Sequence, residues 1–193
     1  YKEDKEQSVF FLVDVSKSQH IGREENKINI SKEITSVLTL SALNTNSQVG
    51  LICFSDQKEL FIESKKGISH GYRIIKNLYD LKQKSNKTNL TSMVKFFMGT
   101  IKKKSLVIIL SDFIDENYIK SLKSLSKSHD VICLHIYDDY EAKIPELGII
   151  QVEEKENNFK KWVNTSSRSF QKMTNKFFDE KSTEIKKKMN SIG

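Results

Sequence analysis

The sequence predicts a doubly wound α/β domain: a mostly parallel sheet with one antiparallel edge strand and helices on both faces. Three observations lead there. Four short apolar runs, Val9–Val13 (VFFLV), Val49–Phe54 (VGLICF), Leu106–Leu110 (LVIIL) and Val131–Ile136 (VICLHI), read as strands buried on both faces. Between them apolar residues recur at helical spacing. The chain of 193 residues has one proline and seven glycines, with no repeat and no linker-like block, so residues 1–193 count as a single domain.

The first strand runs into a polar loop, after which Ile30, Ile34, Val37, Leu38 and Leu43 mark a helix leading back to the second strand. Only four residues (SDQK) separate that strand from Glu59–Ile62 (ELFI), too few for a crossover helix, so ELFI is expected to turn back as the antiparallel edge. Ile68, Tyr72, Ile75, Leu78 and Tyr79 predict a second helix, and Leu90, Val94, Phe97 and Ile101 a third. Ile119, Leu122 and Leu125 predict a fourth, between the last two buried strands. A short strand over 148–152 follows Pro145. A C-terminal helix over about 166–192 is expected to start at Ser166 or Ser167 and to pack Phe170, Met173, Phe177, Ile185, Met189 and Ile192 on the sheet.

Composition removes several function classes. A chain of this size can bury about 70% of its unfolded surface, a full core without staples. Cys53 and Cys133 sit in apolar runs and read as buried thiols, which argues against an extracellular disulfide scaffold. No apolar stretch approaches the roughly 20 residues of a membrane helix, and no signal-peptide layout is present. The expectation is a soluble cytoplasmic domain, with a membrane tether beyond its two ends left open. Lys+Arg exceed Asp+Glu by 32 to 25, a net charge of +7. The lysines are dispersed in groups such as Lys102–Lys104 and Lys186–Lys188, interleaved with acidic and polar residues, and the aromatics are expected to point inward. A solvated surface is therefore read in preference to a nucleic-acid platform.

In a doubly wound sheet, ligands bind beyond the carboxyl ends of the strands. There the first strand gives Asp14, Ser16 and Ser18 in an Asp-x-Ser-x-Ser loop, and LVIIL gives Asp112 in SDFID. If those strands are neighbours, their axes lie about 4.8 Å apart and the carboxylates converge. The loop SNKTNLTSM adds Thr88. Hydroxyl and carboxylate oxygens without His or Cys suit a hard divalent cation, Mg²⁺ or Mn²⁺ with Ca²⁺ as the alternative, rather than Zn²⁺. Neutral hydroxyls and at most two carboxylates leave such an ion electrophilic, open to a carboxylate from outside. The same residue types also serve as strand-end caps and turn formers.

VFFLVDVSKS, TNL and VIILSDF resemble the three parts of the metal-ion-dependent adhesion site (MIDAS) of von Willebrand factor A domains. With VGLICFSD and VICLHIYDDYEAKIPELG, the likeness runs from about Val9 to Thr165 and extends to a bacterial subgroup encoded beside MoxR-type AAA+ ATPases. The resemblance implies a metal set of Asp14, Ser16, Ser18, Thr88 and Asp112. It also implies a non-enzymatic adaptor that uses the ion to capture an acidic group on a protein partner, beside a MoxR-type ATPase. Lys17 between the serines and Lys87 before Thr88 depart from the common pattern. They support one alternative, a metal-free scaffold in which loop lysines supply the positive charge. A second alternative is a metal-dependent hydrolase with His20 as base. No nucleophile elbow and no phosphate-cradling loop is present, and His20, His70, His129 and His135 lack metal-ligand spacing.

Overall fold

The computed structural model describes residues 7–20, 27–85, 87–115, 118–138, 145–153 and 160–192. Its central sheet has the strand order β3-β2-β1-β4-β5. The strands are β1 (Ser8–Asp14), β2 (Gln48–Phe54), β3 (Lys58–Lys65), β4 (Leu106–Ser111) and β5 (Asp130–His135). All pair in parallel except β3, which runs antiparallel along the β2 edge, as so short a connection requires. The helices are α1 (Lys27–Asn44), α2 (Ile68–Asp80), α3 (Leu90–Thr100), α4 (Ile119–Ser126) and α5 (Arg168–Asn190).

The strand period of two sorts β1 between two cores. Val9, Phe11 and Val13 face α1 and α2 with Ile28, Ile74 and Leu78, while Phe10 and Leu12 face α3 and α4 with Val94, Phe97, Leu122 and Leu125. All of β1 is buried, which is why it reads as an unbroken apolar run. Chain order then sets the functional geometry. From β1 the chain winds through α1 to β2 on one side, then crosses to β4 on the other, so the switch in winding direction falls between β1 and β4.

Several expectations are corrected. β5 is an edge strand, and its Ile132 is 44% exposed rather than buried on both faces. β6 (Ile149–Glu153) does not join the main sheet. It pairs antiparallel with β7 (Lys160–Asn164), a strand whose polar sequence KKWVN gives no apolar signal. On α2 the buried residues are His70, Gly71, Ile74 and Leu78, while Ile68, Tyr72 and Tyr79 are exposed. The helix is turned because Gly71 lets it approach Leu43 and Thr39 of α1, and because His70 Nε2 hydrogen-bonds the Val49 carbonyl at 2.8 Å. α1 likewise turns Ser31, Thr35 and Thr39 inward and leaves Val37 exposed. Ser167 caps α5 by accepting the Phe170 N–H at 3.2 Å. Of the α5 stripe, Ile185, Met189 and Ile192 pack on the core, whereas Met173 and Phe177 are exposed. The inward reading of the aromatics also fails for Tyr137 and Trp162. Asp139 and Glu141, within the resemblance, lie outside the described residues. Among the described residues, no helix is long and apolar enough to cross a membrane.

Gly50 of β2 marks a close approach in the sheet. A Cβ there would fall 2.4 Å from Phe10 Cε1 and 3.1 Å from the Ile62 carbonyl oxygen, and Phe10 is held edge-on against Phe97 with ring centroids 5.3 Å apart. Gly50→Ala is expected to lower unfolding stability by about 1–3 kcal/mol, the usual cost of overpacking, in urea titration.

Candidate functional site

The end of β1 is pinned by the Val15 N–H, which donates to the Phe54 carbonyl at 2.8 Å, and the chain then enters a 3₁₀ turn, Lys17–His20. Aspartate suits this exit because its carboxylate can accept an amide two residues on. Asp14 Oδ1 accepts the Ser16 N–H at 2.9 Å, and its Oδ2 accepts the Ser111 hydroxyl from β4 at 2.7 Å. The register aligns Val13 with Leu110, so Asp14 stands opposite Ser111 and one residue short of Asp112. The Ser16 and Ser18 hydroxyls are 3.0 Å apart.

β4 leaves the sheet through a kink. Phe113 has a left-handed backbone, φ 51°, which costs a bulky L-residue roughly 1–2 kcal/mol. Its ring packs on Tyr118 and His135 at 5.9 and 6.3 Å between centroids, and that burial offsets the strain. The kink lets the Phe113 N–H donate to Ser111 Oγ at 3.1 Å and the Ile114 N–H donate to Asp112 Oδ1 at 3.3 Å. The other Asp112 oxygen, Oδ2, is 3.1 Å from Nζ of Lys27, the first residue of α1. The two side chains are 3% and 1% exposed, respectively.

Asp14, Ser16, Ser18 and Asp112 therefore gather at the rim between β1 and β4. Thr88 lies on the lead-in to α3, half-buried, and among the described residues no hydrogen bond joins its hydroxyl to the other four. Its loop is fixed on both sides: the Asn89 N–H donates to the Ser55 carbonyl at 3.1 Å, and the Leu90 N–H donates to Asp115 Oδ2 at 2.7 Å. Lys17 is half-buried and Lys87 exposed, and among the described residues the cation that meets a site carboxylate is Lys27. Sequence reasoning missed Lys27, which looks like any polar-loop lysine. It also missed Ser111, although the register would have set it against Asp14. His135, set aside as a strand histidine, ends β5 at this rim with its ring against that of Phe113. Gln19 is fully buried, and neither polar atom of its amide has a partner among the described residues.

The donor set fits a hard dication in kind. Adjacent corners of an octahedron with ligands at about 2.1 Å are about 3.0 Å apart, the separation of the two serine hydroxyls. Among the described residues no three His, Cys, Asp or Glu side chains cluster in a way that could hold a metal, so such an ion would rest on carboxylates, hydroxyls and water.

The family model described as "Protein of unknown function DUF58" matches residues 1–184. The chain belongs to the DUF58 family. No curated protein matches it. Among solved structures, the DUF58 chain is similar to an aerotolerance-related membrane protein from Bacteroides fragilis, with 14% identity, 88% of this chain and 87% of that one covered, and TM-score 0.63. It is also similar to the conserved hypothetical protein BatB from Bacteroides thetaiotaomicron, with 12% identity, 92% and 99% covered, and TM-score 0.55. A third likeness, to proximal thread matrix protein 1 from the mussel byssus, has 18% identity, 66% and 36% covered, and TM-score 0.53. At these identities the likenesses establish the fold, a five-stranded, mostly parallel α/β sheet of the Rossmann or von Willebrand factor A kind.

Burial of Asp14 in the DUF58 chain, helped by the nearby charge of Asp112, pushes its carboxyl up from 3.8 to about 6. The hydrogen bonds from Ser16 and Ser111 oppose that rise. A carboxyl with a raised folded-state pKa stabilises the fold fully below its unfolded value, and this contribution is lost as pH rises through the folded value. The loss spans about pH 4 to 6 and amounts to roughly 3 kcal/mol at 1.36 kcal/mol per unit. In EDTA, Asp14→Asn is expected to gain stability relative to wild type by about that amount between pH 4 and pH 7.5, measured by chemical denaturation at both pH values. A difference that stays constant with pH would contradict the assignment.

Proposed function

We propose that this DUF58 chain is a non-enzymatic protein-binding module whose recognition surface is the β1–β4 rim, where a divalent cation captures an acidic group of a protein partner. The observation that carries the reading is the pair of serine hydroxyls 3.0 Å apart beside two buried carboxylates, Asp14 and Asp112, from adjacent strands. In this reading Asp14, Ser16 and Ser18 hold the ion directly or through water, with Asp112 and Thr88 as further oxygen donors. Mg²⁺ or Mn²⁺ suits the hard donor set, and Ca²⁺ is the alternative. A bound ion supplies a Lewis-acidic point with incomplete charge compensation. The protein's part is to hold that point rigid and leave one side open to a carboxylate. The partner we propose, from the resemblance to A domains encoded beside them, is a MoxR-type AAA+ ATPase, with the chain acting as an adaptor.

A second reading, the metal-free scaffold, is favoured by one observation: the buried Lys27–Asp112 pair already supplies a positive charge beside a site carboxylate. The two readings separate on metal uptake. The cation-dependent module is expected to take up one equivalent of Mn²⁺ by calorimetry or electron paramagnetic resonance, with uptake lost in Asp14→Ala. Co-precipitation of a MoxR-type ATPase is expected to require Mg²⁺ and to be abolished by EDTA. Uptake unchanged in Asp14→Ala, or ATPase binding unaffected by EDTA, counts against the proposal.

A further inference from the structure

The Lys27–Asp112 pair stands out by location and burial. Long lysine side chains are seldom buried without a partner, and this one leaves α1 at its first residue, reaches across the rim and ends on a carboxylate that belongs to the proposed cation set. Ile28, the next residue, is buried in the core beneath α1, so the helix start cannot drift away from the sheet without exposing apolar surface. The ammonium is thus delivered to the rim by the fold. At that rim the two carboxylates leave adjacent strands side by side, and the Lys27 ammonium lies against one of them. A dication and an ammonium cannot share Asp112 closely, since like charges in a partly desolvated site repel far more strongly than in water.

We propose that Lys27 is a tethered counter-ion of the rim: its ammonium takes the cation's part beside Asp112, so a divalent ion binds only by competing with it. This rests on the cation-dependent reading above and adds its regulation. Without metal, the ammonium compensates the charge of Asp112. Metal entry frees the Lys27 side chain from Asp112, which couples occupancy of the rim to the start of α1. Lys27 is a positioning residue in this scheme, acting through Asp112.

The test compares wild type, Lys27→Gln, Lys27→Met and the Lys27→Met/Asp112→Asn double variant, reading both Mn²⁺ affinity and melting temperature in EDTA and in Mn²⁺. Lys27→Gln keeps a hydrogen-bond donor for Asp112, so it reports even if Lys27→Met folds poorly. The expected result is that both single variants bind Mn²⁺ about tenfold or more tighter than wild type. In EDTA they melt below wild type, because Asp112 is left buried without its counter-charge, and Mn²⁺ restores them. The double variant regains stability in EDTA and loses the Mn²⁺ response. Equal or weaker Mn²⁺ binding in both single variants overturns the role of Lys27. If wild type then binds Mn²⁺ in an Asp14-dependent way, the cation-dependent reading still stands. Uptake by the Lys27 variants but not by wild type supports the counter-ion and removes the metal-dependent function of the native chain. Uptake by none of them overturns both.

Discussion

The parallel pairing of β1 with β4 is the constraint from which the site follows. Register places Val13 beside Leu110, so the first residues to leave the sheet, Asp14 on one strand and Ser111 and Asp112 on the other, emerge side by side. Each strand is apolar up to its last residues because both faces are covered, and each turns polar at its end, where Asp14, Ser111 and Asp112 are still buried. A shift of one residue would turn every side chain of β1 to the opposite core, a cost far above any gain at the rim. The core thus fixes the spacing of the carboxylates, and the rim chemistry has no freedom to relax it.

Two buried carboxylates so close together must be compensated. Asp14 relies on two hydrogen bonds, from the Ser16 N–H and the Ser111 hydroxyl, and still has its carboxyl pushed up to about 6. Asp112 has a hydrogen bond from Ile114 and the ion pair with Lys27. One acid is compensated by dipoles and the other by a charge, and an ionised carboxylate with neither would be expelled or protonated. The left-handed Phe113 fits this account, since the kink it makes lets the Ser111 hydroxyl accept the Phe113 N–H while donating to Asp14.

Much of this was legible from residue type and position. Asp14, Ser16, Ser18 and Asp112 follow apolar runs, and strand ends announce themselves where such a run stops. Burial of a charged residue is different, because Lys27 in NKINI carries no mark separating it from solvated lysines, and only the three-dimensional path of α1 brings it to Asp112. The α2 face was misread for a related reason: its buried side uses His70 and Gly71, one held by the Val49 carbonyl and the other chosen for close approach, and neither registers as apolar. Of β6 and β7 only the first was expected, since the two stand as a separate ribbon with Ile149 and Trp162 exposed on one face, and a ribbon so little covered needs no apolar run.

The polar residues at the rim share a further feature that bears on how rigid it is. Asp14 is followed by Val15, Lys27 by Ile28 and Asp112 by Phe113, and Leu90 comes two residues after Thr88. All four apolar neighbours are at most 3% exposed. Val15 and Ile28 belong to the core under α1 and α2, whereas Phe113 and Leu90 belong to the core under α3 and α4. Each of these four polar residues is therefore anchored within two residues, and the anchors divide between the two faces of the sheet. A rim held from both sides can keep like charges in place that a mobile loop would let separate, at the expense of stability elsewhere. The site is accordingly a property of both cores together.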